Sequence, residues 1–230
     1  MQTIQIDVVS DIVCPWCYIG KRRLEQALAQ LNNRYPVHVT FHPFQLDPSV
    51  PPAGRDFVAY MTSRYGSQIE TMFDRVESVG KQEGLDFDFM NLPKAINTLS
   101  LHRILFVAHQ EAQQAEVKEA LMKAYFIDRI DLTKPENIAT IMQTFGWNAE
   151  KTTELLRSTT GEKEVQDEIR YFQQMGVTGV PFFILNNKYG ISGAQPAEVL
   201  RDAIEQVAQE FGIVAITADG EYCDTEKGEC

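Results

Sequence analysis

The hydrophobic pattern changes period twice along this chain, and those two switches restrict its fold more than any other feature. Ile4-Gln5-Ile6-Asp7-Val8-Val9 is short, β-branched and partly alternating, which is how a strand reads. From Lys21 to Leu31, the residues Leu24, Ala27, Leu28 and Leu31 recur at helical spacing with charge on the other side. Val37-His38-Val39-Thr40-Phe41-His42 alternates again with period two. Strand, helix and strand with short connections form a βαβ unit, which implies parallel strands and a right-handed crossover. Asp47-Pro48-Ser49-Val50-Pro51-Pro52-Ala53-Gly54 breaks the pattern, and from there to about Met175 the chain reads as wholly helical. Ser67-x-x-Glu70 and Thr133-x-x-Glu136 are capping-box patterns, the second enclosing Pro135. Ala95 to Gln113 is apolar around most of its circumference, which predicts a central buried helix. After Gly176 strands return: Phe182–Leu185 and Tyr189–Ser192 flank Asn186-Asn187-Lys188, a hairpin signal. Pro196 then opens a helix to about Phe211, with Val199, Leu200, Ala203, Ile204 and Val207 on one face. The order βαβ, helical block, ββα is that of an α/β domain carrying an all-helical insertion.

Size and charge remove several function classes. A chain of 230 residues can bury a full core. No apolar run approaches the roughly 18–20 residues of a membrane-spanning helix, so no membrane partner is expected. The net charge of −11 argues against nucleic acid, whose binding depends on Lys and Arg neutralising phosphates. The N-terminus reads as the direct start of a strand without a secretion signal, so a cytoplasmic location is expected. Four cysteines are too few for a disulfide scaffold of this size.

Two of those four lie in Asp11-Ile12-Val13-Cys14-Pro15-Trp16-Cys17-Tyr18-Ile19-Gly20, where the first strand ends and the first helix begins. First-turn N–H groups lack intrahelical partners and the helix dipole favours negative charge there. A thiolate at Cys14 is therefore expected to be stabilised, its pKa drawn from about 8.5 towards roughly 3.5–7.5. Pro15 suits a helix start, where its missing N–H is not needed. Cys17 falls one turn further in, on the same helix face but more covered. That spacing assigns attack to Cys14 and resolution of the mixed disulfide to Cys17. Two other readings stand beside it. The pair can be a chance occurrence in a turn, or half of a zinc site completed by Cys223 and Cys230. Far downstream, Gly179-Val180-Pro181 places a proline directly before a strand; it must mark the first residue or a special turn. A cis Val180–Pro181 bond would free Val180 to pair with an extended peptide beside the dithiol.

Together these motifs resemble the DsbA-like branch of the thioredoxin superfamily, and within it the FrnE-type group. The match rests on Asp11-x-x-Cys14-Pro15-Trp16-Cys17-Tyr18-Ile19-Gly20, Phe44-x-Leu46-x-Pro48, Asn97-Thr98-x-x-x-His102-Arg103 and Gly176-Val-x-Gly179-Val180-Pro181. The resemblance implies a thioredoxin fold, discontinuous over residues 1–46 and 176–214. Residues 47–175 would form the inserted helical domain, and residues 215–230 a tail with the second cysteine pair. It also implies a cis Val180–Pro181 bond opposite Cys14 and Cys17, and a groove roofed by the insertion. The expected activity is thiol–disulfide exchange on thiol- or disulfide-bearing proteins, with Val180, Pro181, Pro15 and Trp16 contacting substrate. No metal or organic cofactor is required for that chemistry, and glutathione is a candidate reductant or co-substrate. One alternative is a glutathione-dependent isomerase or transferase, resembling 2-hydroxychromene-2-carboxylate isomerase and the kappa-class glutathione transferases. The other is a chaperone-like binding protein whose cysteines are incidental.

Asp11 is a candidate proton relay for Cys17, against the simpler role of a loop carboxylate satisfied by backbone N–H groups. Trp16 offers substrate an apolar face but no positive charge for the Cys14 thiolate, which predicts a less oxidising couple than in family members with histidine there. Asn97 and His102 are candidate substrate contacts, with His102 and His109 on one helix face. Cys223 and Cys230 are a candidate auxiliary redox pair in the acidic tail, at a spacing wider than the FrnE pattern.

Overall fold

The computed structural model describes residues 2–216 and 222–223. In chain order the elements begin with β1 (Ile4–Ser10), α1 (Pro15–Gln30) and β2 (Val37–Pro43). The intervening region holds β3 (Arg55–Asp56), α2 (Phe57–Tyr65), α3 (Ile69–Gln82), β4 (Lys94–Ala95), α4 (Leu99–Gln110) and α5 (Gln114–Phe126). It continues through α6 (Pro135–Gln143), α7 (Ala149–Arg157) and α8 (Glu162–Gln174). Then come β5 (Phe182–Leu185), β6 (Tyr189–Ser192), α9 (Ala197–Glu210) and the short pair β7 (Ala215–Ile216) and β8 (Tyr222–Cys223).

Four strands make one mixed sheet in the order β2-β1-β5-β6. β1 runs parallel to β2 and antiparallel to β5, and β5 is antiparallel to β6. This is an α/β thioredoxin-like fold with an inserted helical region. Alternation along β1 sets its two faces. Ile4, Ile6 and Val8 pack with Leu24 and Ala27 of α1 and with Leu200 and Ile204 of α9. Val9 points the other way, into a cluster with Phe44, Phe172 of α8 and Ile184. The β5–β6 hairpin forms as its sequence predicts: Asn186 and Asn187 take φ of 47° and 54°, the left-handed pair a tight hairpin turn requires.

Several expectations need correction. The region is not wholly helical, because β3 and β4 pair antiparallel, Arg55 with Ala95 and Asp56 with Lys94. Neither capping box forms. α3 is preceded by a 3₁₀ turn and Gln68 stands at its N-cap, while Thr133 hydrogen-bonds Asp131 Oδ1 and leaves Lys134 to cap α6. The predicted helix from Ala95 begins only at Leu99, since Ala95 is spent in β4. Val199 is exposed; the inner face of α9 is Ala197, Leu200, Ile204, Val207 and Ala208.

On the second sheet face His42 of β2 bridges Asp7 of β1 at 2.8 Å and Glu168 of α8 at 2.6 Å. Burial opposes its charge, but the two carboxylates outweigh it and raise its pKa from 6.5 to about 9. The native state therefore holds the proton more tightly than the unfolded chain. This contribution is fully present below about pH 6.5 and is lost as pH rises through about 9. His42→Gln should remove on the order of 2–3 kcal/mol at pH 6, and the gap to wild type should close by pH 10. Urea unfolding at both pH values checks this, and a gap independent of pH would refute it.

Candidate active site

Cys14 occupies the N-cap of α1, with extended backbone at φ −93° and ψ 110° and Pro15 as the first helical residue. Its Sγ accepts the Cys17 backbone N–H at 3.3 Å, the bond a serine or aspartate oxygen ordinarily makes at this position. A thiolate would hold that donor more strongly than a thiol, since an ionised acceptor strengthens a hydrogen bond. The Cys14 thiol is 3.6 Å from the Val180 carbonyl, to which it donates. The Val180–Pro181 bond is cis and Pro181 is buried just before β5. Gly20 lets this corner approach α1: a Cβ there would meet Pro181 Cγ at 3.0 Å and Phe183 Cζ at 3.3 Å.

Cys17 is 3% exposed, and both cysteines are free thiols. Burial pushes the Cys17 thiol well above its ordinary range, and the hydrogen bond and charge of Cys14 add to that. A backbone hydrogen bond at Asp11 and the positive charge of Lys118 act in the opposite direction. The two sulfurs are thus unequal, one at a helix start beside a carbonyl, the other enclosed a turn deeper.

Asp11 is 1% exposed, and its carboxylate accepts the Leu46 N–H at 2.8 Å and lies 3.2 Å from His102 Nε2. It is both a satisfied loop carboxylate and a wall of the site. His102 is 3% exposed, turned towards Asp11 and the Phe44 carbonyl at 2.9 Å rather than towards the groove. Asn97 likewise spends its amide on structure. Its Nδ2 donates to Pro48 O and Val50 O, and its Oδ1 accepts from Gln45 and from Leu99 N–H. The Asn97 and His102 motif therefore builds the loop carrying Leu46 and backs up Asp11. Cys230 and the side chain of Cys223 lie outside the described residues.

A groove of about 340 Å³ opens in front of Cys14. Asp11, Cys14, Pro15, Trp16 and Val180 form one side; Tyr60, Phe73, Phe89, Tyr125 and Phe126 of the helical region form the other. Leu46 and Tyr65 at its lining are among the exposed large apolar side chains, and Arg64, paired with Asp47, adds charge. Cys14 itself is only 4% exposed, so its sulfur is approached through this groove.

Sequence reading missed Lys118 of α5. It is 1% exposed, and its Nζ has no hydrogen-bond partner among the described residues. A usable signal did exist. Lys118, Leu121, Met122 and Tyr125 follow helical i, i+3, i+4, i+7 spacing, and all are buried.

The fold and the Cys14–Cys17 pair at its first helix start define a protein of the thioredoxin-like class. The family model of the DSBA-like thioredoxin domain matches residues 5–205, and the chain belongs to that family. It is 31% identical to a Streptomyces coelicolor protein described as a probable DsbA oxidoreductase, with a TM-score of 0.85 over 96% of this chain and 99% of that one. It is 24% identical over 204 residues to the uncharacterized protein YwbO of Bacillus subtilis, spanning 88% of this chain and 96% of that protein. A cytosolic disulfide reductase DsbM from Pseudomonas aeruginosa, solved with GSH, shares the fold at 14% identity and a TM-score of 0.63, over 89% of this chain and 99% of that one. By family and structural similarity the chain is a DsbA-like oxidoreductase.

Proposed function

We propose that the protein exchanges disulfides with cysteine-bearing proteins through Cys14 and Cys17, in the manner of the FrnE-type group. The observation that carries this reading is the Cys14 sulfur, capping α1 while lying 3.6 Å from the Val180 carbonyl. Substrate lies extended across Val180 and Pro181, with neighbouring side chains in the apolar groove. The Cys14 thiolate attacks one sulfur of the substrate disulfide, and the other sulfur leaves as a thiolate that takes up a proton. Cys17 then loses its proton and attacks Cys14 Sγ. The Cys14–Cys17 bond forms, the bond to substrate breaks, and substrate leaves reduced by two electrons. The same steps in reverse oxidise a dithiol. Asp11, buried beside His102, is the proposed acceptor of the Cys17 proton. These steps draw on the chain's own residues alone, with glutathione or a partner dithiol resetting the pair. The cytoplasm is the proposed setting.

One observation favours a second reading. A nucleophile 4% exposed in a 340 Å³ groove suits a small-molecule thiol or glutathione conjugate, as an isomerase or transferase on this fold would use. Turnover of a disulfide-bonded protein substrate separates the two. Disulfide exchange predicts loss of turnover in both Cys14→Ser and Cys17→Ser. The transferase reading predicts a Cys17→Ser protein that remains active on the small molecule and inactive wild type on the protein substrate.

A further inference from the structure

A cavity of about 150 Å³ lies between β2, α4, α5 and α8, and it shares no lining residue with the groove in front of Cys14. An apolar cavity of roughly 150 Å³ is large enough to take up benzene. Lys118 lines the cavity from α5, and its Nζ stands 5.2 Å from the centroid of the Phe41 ring, which lines it from β2. The ring face attracts the ammonium, but it is no substitute for hydrogen-bond acceptors to the ammonium N–H groups. Lys118 is 1% exposed, and no described residue accepts from its Nζ.

Other polar side chains in the wall are spent on the protein itself. His42 and Glu168 are paired at 2.6 Å, and the second ring nitrogen of His42 is held by Asp7. Gln114 Oε1 accepts the Phe41 N–H at 3.0 Å, and its Nε2 donates to the Phe41 carbonyl at 2.8 Å. The cation left over is Lys118. Burial lowers its pKa from 10.5 to about 8, so it still carries its charge at pH 7. Opposite these polar groups, Leu105 and Phe106 of α4 and Val165 of α8 make an apolar wall. Exposed His109 and half-buried Glu168, also in the lining, give the cavity its way out to solvent.

We propose that this cavity binds a small organic monocarboxylate, with its carboxylate on the Lys118 ammonium and an apolar body about the size of a benzene ring against Leu105, Phe106 and Val165. The inference stands apart from the dithiol reading, since neither cysteine lines the cavity. One uncommitted cation near Glu168 selects a single negative charge, because a second would face the Glu168 carboxylate. The apolar wall selects a carbon body over inorganic phosphate, whose oxygens would lose their hydration to side chains that donate nothing. A carboxylate gives the buried ammonium the charge-assisted hydrogen bond it lacks, where water does not screen it.

The test titrates the full-length reduced protein, methyl-labelled at leucine and valine, with sodium benzoate at neutral pH and constant ionic strength, read by NMR. Saturable shifts at the Leu105 and Val165 methyls are expected, with a Kd of roughly 0.1–1 mM for a ligand of this size. Benzyl alcohol, similar in size but uncharged, and inorganic phosphate should each bind at least about 10-fold more weakly. Lys118→Met, which removes the charge and keeps the length, should lose benzoate by about 10-fold or more while staying folded in thermal unfolding. Where it does not fold, Lys118→Gln is read in the same way. Saturation at Leu46, in the groove, without change at Leu105 and Val165 would overturn the proposal. So would equal binding of benzoate by a folded charge-free variant, or equal binding of benzyl alcohol or phosphate by wild type. Absence of any shift up to about 20 mM benzoate would also overturn it, leaving the cavity to water alone.

Discussion

Cys17→Ala should turn the protein into a trap: multiple turnover falls by roughly two orders of magnitude or more, while a mixed disulfide through Cys14 accumulates. The asymmetry of the two sulfurs is the reason. Cys14 meets the groove and a first-turn N–H, so it reacts with an incoming disulfide. Cys17 does not line the groove and its thiol is held above its ordinary range, so on the proposed mechanism it is not the sulfur that meets substrate. With the alanine present, nothing inside the protein displaces the bound substrate. Non-reducing electrophoresis and mass mapping of the captured adducts check the result. Adducts on proteins support the proposed substrate class; adducts of glutathione alone favour the small-molecule reading.

Phe126→Ala should cause the largest loss of stability, about 3–5 kcal/mol, because the ring sits where the groove wall and the core are the same side chains. Phe126 is 1% exposed at the end of α5. Its ring lies 5.3 Å from Phe87, 6.1 Å from Phe89, 6.3 Å from Tyr18 and 4.9 Å from Tyr125. Tyr18 is held by α1 and Phe87 and Phe89 by the segment between α3 and β4, so the space left by the ring is not refilled by a simple shift of α5. For a chain of this size the fall corresponds to roughly 6–20 °C in Tm. Since Phe126 also lines the groove, apolar substrates should bind less well in the surviving folded protein. Calorimetry that finds a loss under about 1 kcal/mol would mean the aromatic cluster collapses around the missing ring.

The parts of the fold legible in the sequence were those governed by local pattern. β1, α1 and β2 announced themselves by period, and Asn186-Asn187 fixed the hairpin because left-handed backbone suits asparagine. Cys14, Pro15 and Cys17 were legible for the same reason, since a helix start is a local event. Pro181 was recognisable only through its distant relation to that start. What escaped was decided by tertiary contact. β3 and β4 are two residues each and pair across the whole of α2 and α3, so no period marks them. His102 reads as a groove residue from its helix face, yet Asp11 and the Phe44 carbonyl draw it inward. Thr133 carries a capping signal that Asp131 intercepts. Lys118 escaped because its burial is set by packing between helices, with its neighbour Glu119 taking the contacts with α1.

The division of labour between the sulfurs is the centre of the account, and one measurement reaches it directly. The reduced protein is pulsed with iodoacetamide at pH 7, and each cysteine is mapped by mass spectrometry in the native and unfolded states. Modification at Cys14, with Cys17 protected until the chain unfolds, is the predicted result. Native modification of Cys17 as fast as Cys14, or faster, would contradict it.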